Sequence, residues 1–320
     1  MIWTLLLLLG GLVLLWKGAD LLSDGAAGLA QRMGVSQLVI GLTIVATGTS
    51  TPEAAAGIVA ALDGRGDIVV GNVFGANIAD LAMIGGLVAL IRPLRVRSAT
   101  LMREIPAMLV VIVFLWLVLQ NLGLSRIDGA VLIGVFAILL TLTIRSARMS
   151  AREPIKDLAT VVEPARTTAQ NVMFLVLGFI ALAIGAQLAV HGAEGIGRRI
   201  GLSDAVIGST ILAIGTTLPE LMTCLVAAVK GHHDISIGNL VGSVIFNSLF
   251  VMGIAALARP LTISPRFAGG PDYWILVGVA VGFTAAVIVG KRTIRRLSGS
   301  ILLLAYAGYL AYLLTFTPAG

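Results

Sequence analysis

The sequence predicts an all-α integral membrane protein with ten transmembrane helices, arranged as two inverted five-helix repeats. Three observations lead to this prediction: the composition, the spacing of the apolar segments and an internal duplication. Of the 320 residues, 58% are hydrophobic and only 12% are charged, whereas a soluble globular domain is about 25% charged. We therefore expect this chain to lie in a lipid bilayer.

Ten apolar segments are long enough to cross a membrane as helices. About 20 residues of helix span a hydrocarbon core of about 30 Å. The segments cover residues 2–19, 36–60, 69–91, 104–120, 128–146, 171–190, 204–229, 236–258, 273–290 and 298–315. The first segment has no Lys or Arg before Lys17 and no clear small-residue cleavage site, so we expect a retained helix rather than a signal peptide.

Two stretches of the sequence repeat one another 167 positions apart (220 − 53 = 167). The first copy reads IGLTIVATGTSTPE and ends at Glu53, and the second reads IGSTILAIGTTLPE and ends at Glu220. A second shared phrase follows each of them, GDIVVGNVFGANIAD up to Asp80 and HDISIGNLVGSVIFN up to Asn247. A carboxylate in hydrocarbon is costly, so a glutamate present in both copies indicates a function.

The number of segments in each copy predicts how the two copies are related. Five crossings are an odd number, so the second copy enters the membrane from the opposite side and is inverted about a pseudo-two-fold axis in the membrane plane. The predicted units are a first repeat over residues 1–147, a polar cytoplasmic linker over 148–169 and a second repeat over 170–320.

The basic residues give the expected orientation in the membrane. Sixteen of the 22 Lys and Arg residues fall on one side of the predicted topology, and this side is assigned to the cytoplasm by the positive-inside rule. Both termini are then extracytoplasmic, in a multi-pass protein of the cell (inner or plasma) membrane. The net charge of +6 is therefore read as a topology signal, and no nucleic-acid partner is predicted.

Each repeated glutamate directly follows a proline. Pro52 and Pro219 each remove a backbone donor from a helix, so carbonyls around Ala46 and Ala213 are expected to be freed from the helical ladder. A cation can satisfy free carbonyls at membrane depth. Hydroxyl oxygens one turn away extend the predicted set to Glu53, Glu220, Thr49, Ser50, Thr216 and Thr217. Oxygen ligands without thiolate or imidazole are typical of Ca²⁺ or Na⁺ sites.

The next helix of each copy adds polar side chains to this set, namely Asn77 and Asp80 in the first repeat and Ser243 and Asn247 in the second. Asp80 corresponds to Asn247 under the same offset, so the predicted pocket holds three carboxylates. Three negative charges at low dielectric repel one another strongly. We therefore expect the site to require bound cations or protons before it can cross the membrane.

The paired motifs GTSTPE and GTTLPE, each followed by a GN-x-x-G-x-x-I pattern, resemble the α-repeats of the calcium/cation antiporter superfamily, nearest its prokaryotic sodium/calcium exchangers. The resemblance covers both halves of the chain. It implies that Glu53 and Glu220 are central Ca²⁺ and Na⁺ ligands, with the hydroxyls of Thr49, Thr216 and Ser243 beside them. It also implies backbone ligands at Ala46 and Ala213 and outer ligands at Asp80 and Asn247, with helices one and six sliding against a fixed core.

Two positions depart from the pattern of that family. The family usually has G-S-N-I in both copies, whereas this chain has Ala76 in the first copy and Val244 in the second. Ala76 lacks a hydroxyl where a Na⁺ ligand is expected. The order of Asp80 and Asn247 is also the reverse of that expected in some relatives. A proton is therefore the alternative to one Na⁺.

The sequence thus predicts a secondary antiporter that exchanges Na⁺ for Ca²⁺ by alternating access, with H⁺/Ca²⁺ exchange as the alternative. A cation channel fits two inverted half-sites less well. An enzyme is not predicted, because no nucleophile–base arrangement accompanies the glutamates. The expected partners are the transported ions and lipid, without a cofactor, in a monomeric chain.

Overall fold

A computed structural model of the protein describes residues 2–150, 166–199 and 213–316. Helices dominate the described chain, in agreement with the all-α prediction. The first half contains α1 (Ile2–Met33), α2 (Gln37–Thr49), α3 (Thr51–Leu62), α4 (Gly66–Ile91), α5 (Ser98–Leu119) and α6 (Arg126–Ser150). The second half contains α7 (Thr168–Arg199), α8 (Ala213–Thr216), α9 (Leu218–Val229), α10 (His233–Ala258), α11 (Pro271–Val289) and α12 (Arg296–Phe316).

Eight helices in the described residues are long and apolar enough to cross a membrane, namely α1, α4, α5, α6, α7, α10, α11 and α12. The predicted segment 36–60 is instead two shorter helices, α2 and α3, which meet at Ser50. The described part of segment 204–229 is divided in the same way at Thr217. The prediction of one continuous helix in each segment is wrong because a proline stands in the first turn of the second helix of each pair and removes a donor from a continuous helix.

Helix α1 is longer than its predicted segment, which ended at residue 19. Its 32 residues extend about 48 Å, more than a bilayer core needs. The additional turns carry Asp20 and Asp24, whose carboxylates pair with Lys230 at the end of α9, with 2.6 Å between Lys230 Nζ and Asp20 Oδ1. Partial burial opposes the charge of Lys230, but hydrogen bonds to the two aspartates outweigh it and raise its pKa. Helix α1 therefore continues past Asp20 and Asp24, and these aspartates join it to the end of α9 through Lys230.

The predicted linker over residues 148–169 lies mostly outside the described residues, since 151–165 are not among them. Its two flanks are helical, because α6 continues to Ser150 and α7 begins at Thr168.

Helices α1 and α7 pack against each other through glycines. A methyl group added to Gly11 would lie 2.5 Å from the backbone nitrogen of Ala189, and one added to Gly25 would lie 2.9 Å from that of Leu175. Residue numbers thus fall along α7 as they rise along α1, from Ala189 opposite Gly11 to Leu175 opposite Gly25. The two helices therefore run antiparallel. Close backbone approach at small residues is a common way for helices to associate in membranes.

Two short antiparallel ribbons join the halves of the chain. In one, β1 (Leu94–Arg95) pairs with β4 (Thr293–Ile294), and in the other β2 (Gly123–Leu124) pairs with β3 (Leu261–Thr262). Leu261 lies 167 positions after Leu94. Each ribbon therefore pairs the strand after the fourth helix of one half with the strand before the last helix of the other half.

The buried apolar side chains of the described residues form two clusters. The larger cluster lies among α3–α6 and α9–α12, with α4 and α10 at its centre, and the smaller lies around α1, α2 and α7. Helices α4 and α10 are the most buried of the spanning helices. They carry the polar phrases of the duplicated sequence into the centre of the protein.

The α1–α7 contact leads to a test with neighbouring residues. We expect Gly11→Ala to lower the unfolding temperature, because an overpacked contact costs about 1–3 kcal/mol. Gly10→Ala is the matched control, since an added methyl group there meets no described atom within 4 Å. Thermal unfolding of the detergent-purified protein measures both variants. Equal effects of the two substitutions would contradict this packing.

Candidate cation-binding site

The two repeated glutamates lie in the first turns of α3 and α9. Pro52 and Pro219 stand at the start of these helices, and each glutamate directly follows its proline. Only 2% of Glu53 and 2% of Glu220 is exposed. Because the first turn of a helix carries partial positive charge, this position favours a negative side chain. The proline breaks therefore give both buried carboxylates a favourable electrostatic position.

Asp80 and Asn247 lie in wide, π-helical turns within otherwise α-helical segments. The turn Ala79–Ile84 interrupts α4, and the turn Asn247–Val251 interrupts α10. Both side chains are buried. Such turns occur often at functional sites. The sequence predicted the two polar residues but not the π-helical turns, which lack a simple pattern.

Ser50 joins the break of the first repeat to the second repeat. Its Oγ donates to Glu220 Oε1 over 3.1 Å and lies 3.1 Å from Ser243 Oγ. Ser50 is thus brought together with two predicted site residues that follow it by 170 and 193 positions. All three are buried.

Other hydrogen bonds link predicted ligands to residues that were not among them. Asn77 Nδ2 donates to Ser248 Oγ over 2.9 Å. Thr49 Oγ1 donates to Asn239 Oδ1 over 3.2 Å, a contact between α2 and α10. Ser248 corresponds to Leu81 in the first repeat, so the duplication carried no signal for it.

Five oxygen atoms of the predicted ligands are buried without a hydrogen-bond donor among the described residues. They are Glu53 Oε2, Asp80 Oδ2, Glu220 Oε2, Asn77 Oδ1 and Asn247 Oδ1. A buried polar atom normally has a partner, and an unpaired buried charge is very costly. A bound cation or a proton would satisfy these oxygens.

The carboxylates of Glu53, Asp80 and Glu220 are close enough for their charges to interact. Within the described part of the chain, however, no three His, Cys, Asp or Glu side chains are grouped closely enough to hold a metal ion by themselves. A cation here would therefore need neutral oxygens from hydroxyl, amide or carbonyl groups in addition to carboxylates.

The backbone carbonyl of Ala46 is not freed as predicted. It accepts the backbone N–H of Ser50 over 3.0 Å, because Pro52 removes the donor of a later turn and the helix ends only at Thr49. One lone pair of this carbonyl is therefore used, and Thr49 Oγ1 lies 3.4 Å from the same oxygen. Ala213 begins the described helix α8, and nothing more of its surroundings is described.

The second hydroxyl pair differs from the first. Thr49 and Ser50 are both buried, whereas Thr217 is buried and Thr216 is exposed. Residues 200–212, which precede this pair, lie outside the described chain. The described geometry thus brings together Ser50, Glu220 and Ser243, but it does not place Thr216 in a buried site.

Comparison with known proteins gives a consistent result along the whole chain. The family described as sodium/calcium exchanger protein matches residues 3–145 and 171–315. CaxA of Alkalimonas amylolytica is 37% identical over 309 residues, covering 96% of this chain and 97% of the relative. The sodium/calcium exchanger MaX1 of Methanosarcina acetivorans is 30% identical, covering 96% and 97%.

A solved structure shares the fold. The sodium/calcium exchanger from Methanococcus jannaschii has a TM-score of 0.82 and 29% identity to this chain, over 97% of this chain and 98% of that one. The resemblance drawn from the paired glutamate motifs is confirmed by these matches. This multi-pass membrane protein therefore belongs to the sodium/calcium exchanger family, within the calcium/cation antiporter superfamily.

Proposed function

We propose that this protein is a secondary antiporter that exchanges Na⁺ for Ca²⁺ by alternating access at a carboxylate site in the middle of the membrane. The observation that carries the proposal is the group of five buried site oxygens that lack a donor among the described residues. Three belong to carboxylates, so the group attracts cations. The family membership and the name of the relative MaX1 support Ca²⁺ and Na⁺ as the ions.

The proposed ligand set has Glu53 and Glu220 at its centre. The proposal adds neutral and charged oxygens from Thr49, Ser50, Thr216, Thr217, Ser243, Asn77, Asp80 and Asn247 and from the carbonyls of Ala46 and Ala213. Ca²⁺ takes six to eight oxygen ligands in flexible geometry. Such a set suits one divalent ion, or monovalent ions distributed over the same oxygens.

Two inverted repeats would give this site two exits. The antiparallel packing of α1 on α7 and the reciprocal pairing of β1 with β4 and β2 with β3 support an inverted relation between residues 1–147 and 170–320. The proposal also includes ten membrane crossings. In this topology α2 and α3 together make one crossing, and α8 and α9 together make another. In this scheme the α1–α7 pair, which has its own apolar cluster, moves against the remaining helices.

The proposed orientation places both termini outside the cytoplasm, in a cell membrane and in a monomeric chain. Contacts between predicted cytoplasmic segments support one part of this proposal, that these segments share a side. Arg97 pairs with Asp234 over 2.6 Å, and the backbone N–H of Val96 donates to the carbonyl of Arg292 over 2.8 Å. These contacts bring residues of one predicted side together.

H⁺/Ca²⁺ exchange is the second candidate. Ala76 favours it, because the equivalent Ser243 (243 − 167 = 76) provides a hydroxyl near Ser50 and Glu220, whereas the alanine provides none. A proton on a carboxylate needs fewer ligands than Na⁺ and could replace one Na⁺ in the cycle.

The carboxylates give the first test. We expect Glu53→Gln and Glu220→Gln each to weaken Ca²⁺ transport at least tenfold, which is about 1.4 kcal/mol, because a charged ligand is lost. Uptake of radiolabelled Ca²⁺ into proteoliposomes measures this. Asp63→Asn, which neutralises an exposed acid at the end of α3, is the control. Normal uptake by either glutamine variant would contradict the site.

The coupling ion gives the second test. We expect an outward Na⁺ gradient to drive Ca²⁺ into proteoliposomes at constant pH. If the Na⁺ that leaves carries more charge than the Ca²⁺ that enters, an interior-negative potential will oppose uptake by about 2.3 kcal/mol per net charge per 100 mV. Uptake that ignores Na⁺ but follows a pH gradient would support H⁺/Ca²⁺ exchange instead.

The departure at Ala76 gives the third test. We expect Ala76→Ser to change the Na⁺ dependence of exchange more than the apparent Ca²⁺ affinity, because it adds a neutral oxygen of the kind that Na⁺ accepts. Ca²⁺ uptake is measured as a function of internal Na⁺ for both proteins. An unchanged Na⁺ response would argue against a ligand position at residue 76.

A further inference from the structure

A chain of hydrogen bonds leads away from Thr49 into the second repeat. Thr49 Oγ1 donates to Asn239 Oδ1 over 3.2 Å, Asn239 Nδ2 donates to Cys224 Sγ over 3.3 Å, and Cys224 Sγ donates to the backbone oxygen of Ser236 over 3.5 Å. The side chains of Asn239, Cys224 and Ser236 are fully buried, and 1% of Thr49 is exposed. The chain joins α2, α9 and α10.

The acceptors in this chain fix the direction of two of its hydrogen bonds, those donated by Cys224 and by Asn239. The Cys224 thiol donates to a carbonyl, which can only accept, so its sulfur is left to accept from the Asn239 amide. The Asn239 amide nitrogen thus faces Cys224, and its oxygen faces Thr49. The oxygen accepts the hydroxyl hydrogen of Thr49. This hydrogen then points at Asn239, and the lone pairs of Thr49 Oγ1 are available to a cation.

The hydroxyl of Thr49 has a second acceptor within reach. The backbone oxygen of Ala46 lies 3.4 Å from Thr49 Oγ1, and it already accepts the Ser50 N–H over 3.0 Å. If Thr49 donated to Ala46 instead, both lone pairs of this carbonyl would be used. Donation to Asn239 keeps one of them available.

We propose that Asn239, oriented by Cys224, is a positioning residue for cation binding: it takes the hydroxyl hydrogen of Thr49 and so keeps both Thr49 Oγ1 and the Ala46 carbonyl oxygen available as ligands. This inference rests on the proposed function, because it assigns a role within the same cation site. Asn239 itself acts through Thr49.

The described residues around Asn72 do not form an equivalent chain of hydrogen bonds. The equivalent of Asn239 is Asn72, which donates to the backbone oxygen of Glu53 over 3.3 Å. The equivalent of Cys224 is Gly57 (224 − 167 = 57), which has no side chain to orient an amide. The duplicated asparagines therefore serve different purposes, and the positioning role belongs to the second repeat.

A double-mutant cycle tests the proposal. Asn239→Leu removes the acceptor with a side chain of similar size, and Thr49→Val removes the hydroxyl. Loss of a residue that orients a metal ligand typically reduces affinity about 10–100-fold, so we expect Asn239→Leu to raise the apparent KM for Ca²⁺ roughly tenfold. In the Thr49→Val background the same substitution should have little further effect, because no hydroxyl hydrogen remains to be directed.

Two measurements separate positioning from folding. The first is the apparent KM and maximal rate of Ca²⁺ uptake in proteoliposomes, and the second is the rise in unfolding temperature of the purified protein on adding Ca²⁺. The proposal expects a higher KM and a smaller Ca²⁺-dependent rise. Additive effects in the cycle, or a lower unfolding temperature with unchanged KM, would overturn it.

Cys224 supplies a second pair of variants in case Asn239→Leu does not fold. Cys224→Ser keeps both a donor and an acceptor and should retain Ca²⁺ affinity, whereas Cys224→Val keeps the size but should raise the KM. Equal affinities of the two variants would overturn the role of Cys224. If the wild-type protein shows neither Ca²⁺ uptake nor a Ca²⁺-dependent thermal shift, the proposed function itself fails, which is a distinguishable result.

Discussion

The burial of carboxylate oxygens without protein donors is the constraint on which the rest of the structure depends. Glu53, Asp80 and Glu220 each keep one oxygen that has no partner among the described residues, and their charges interact with one another. Such an arrangement is unfavourable in a membrane interior unless a cation or proton joins it. In the proposed exchange cycle, an empty site would be unfavourable, and this would discourage the protein from changing conformation without a bound ion.

The helix breaks make this arrangement possible. Pro52 and Pro219 lie in the first turns of new helices in the middle of apolar segments. Each is followed by a glutamate in the same turn, where free N–H groups favour negative charge. The π-helical turns at Asp80 and Asn247 add irregular backbone on the facing helices. The two most buried spanning helices thus each carry a π-helical turn.

The two halves share a framework but differ in their polar details. The glycine contacts of α1 with α7 and the two ribbons relate the halves reciprocally. Within this framework, Asn239 contacts Thr49 and Cys224, whereas Asn72 contacts the backbone of Glu53. Duplicated residues therefore need not keep duplicated roles, since each role depends on the neighbours that the other half supplies.

The sequence by itself determined the membrane class, most of the apolar segments, the duplication and the buried glutamates, because these depend on composition, length and local pattern. It also indicated that Pro52 and Pro219 disturb the helices, but it did not predict that α2 and α3 would be separate helices divided at Ser50, or α8 and α9 separate helices divided at Thr217. Only the tertiary structure decided the π-helical turns, the hydrogen bond of the Ala46 carbonyl, the partner of Asn77 and the direction of the Asn239 amide. The partner of Asn77 and the contact of Asn239 with Thr49 involve residues more than a hundred positions apart, which no local pattern encodes, and the Ala46 bond depends on the turn at which the helix ends.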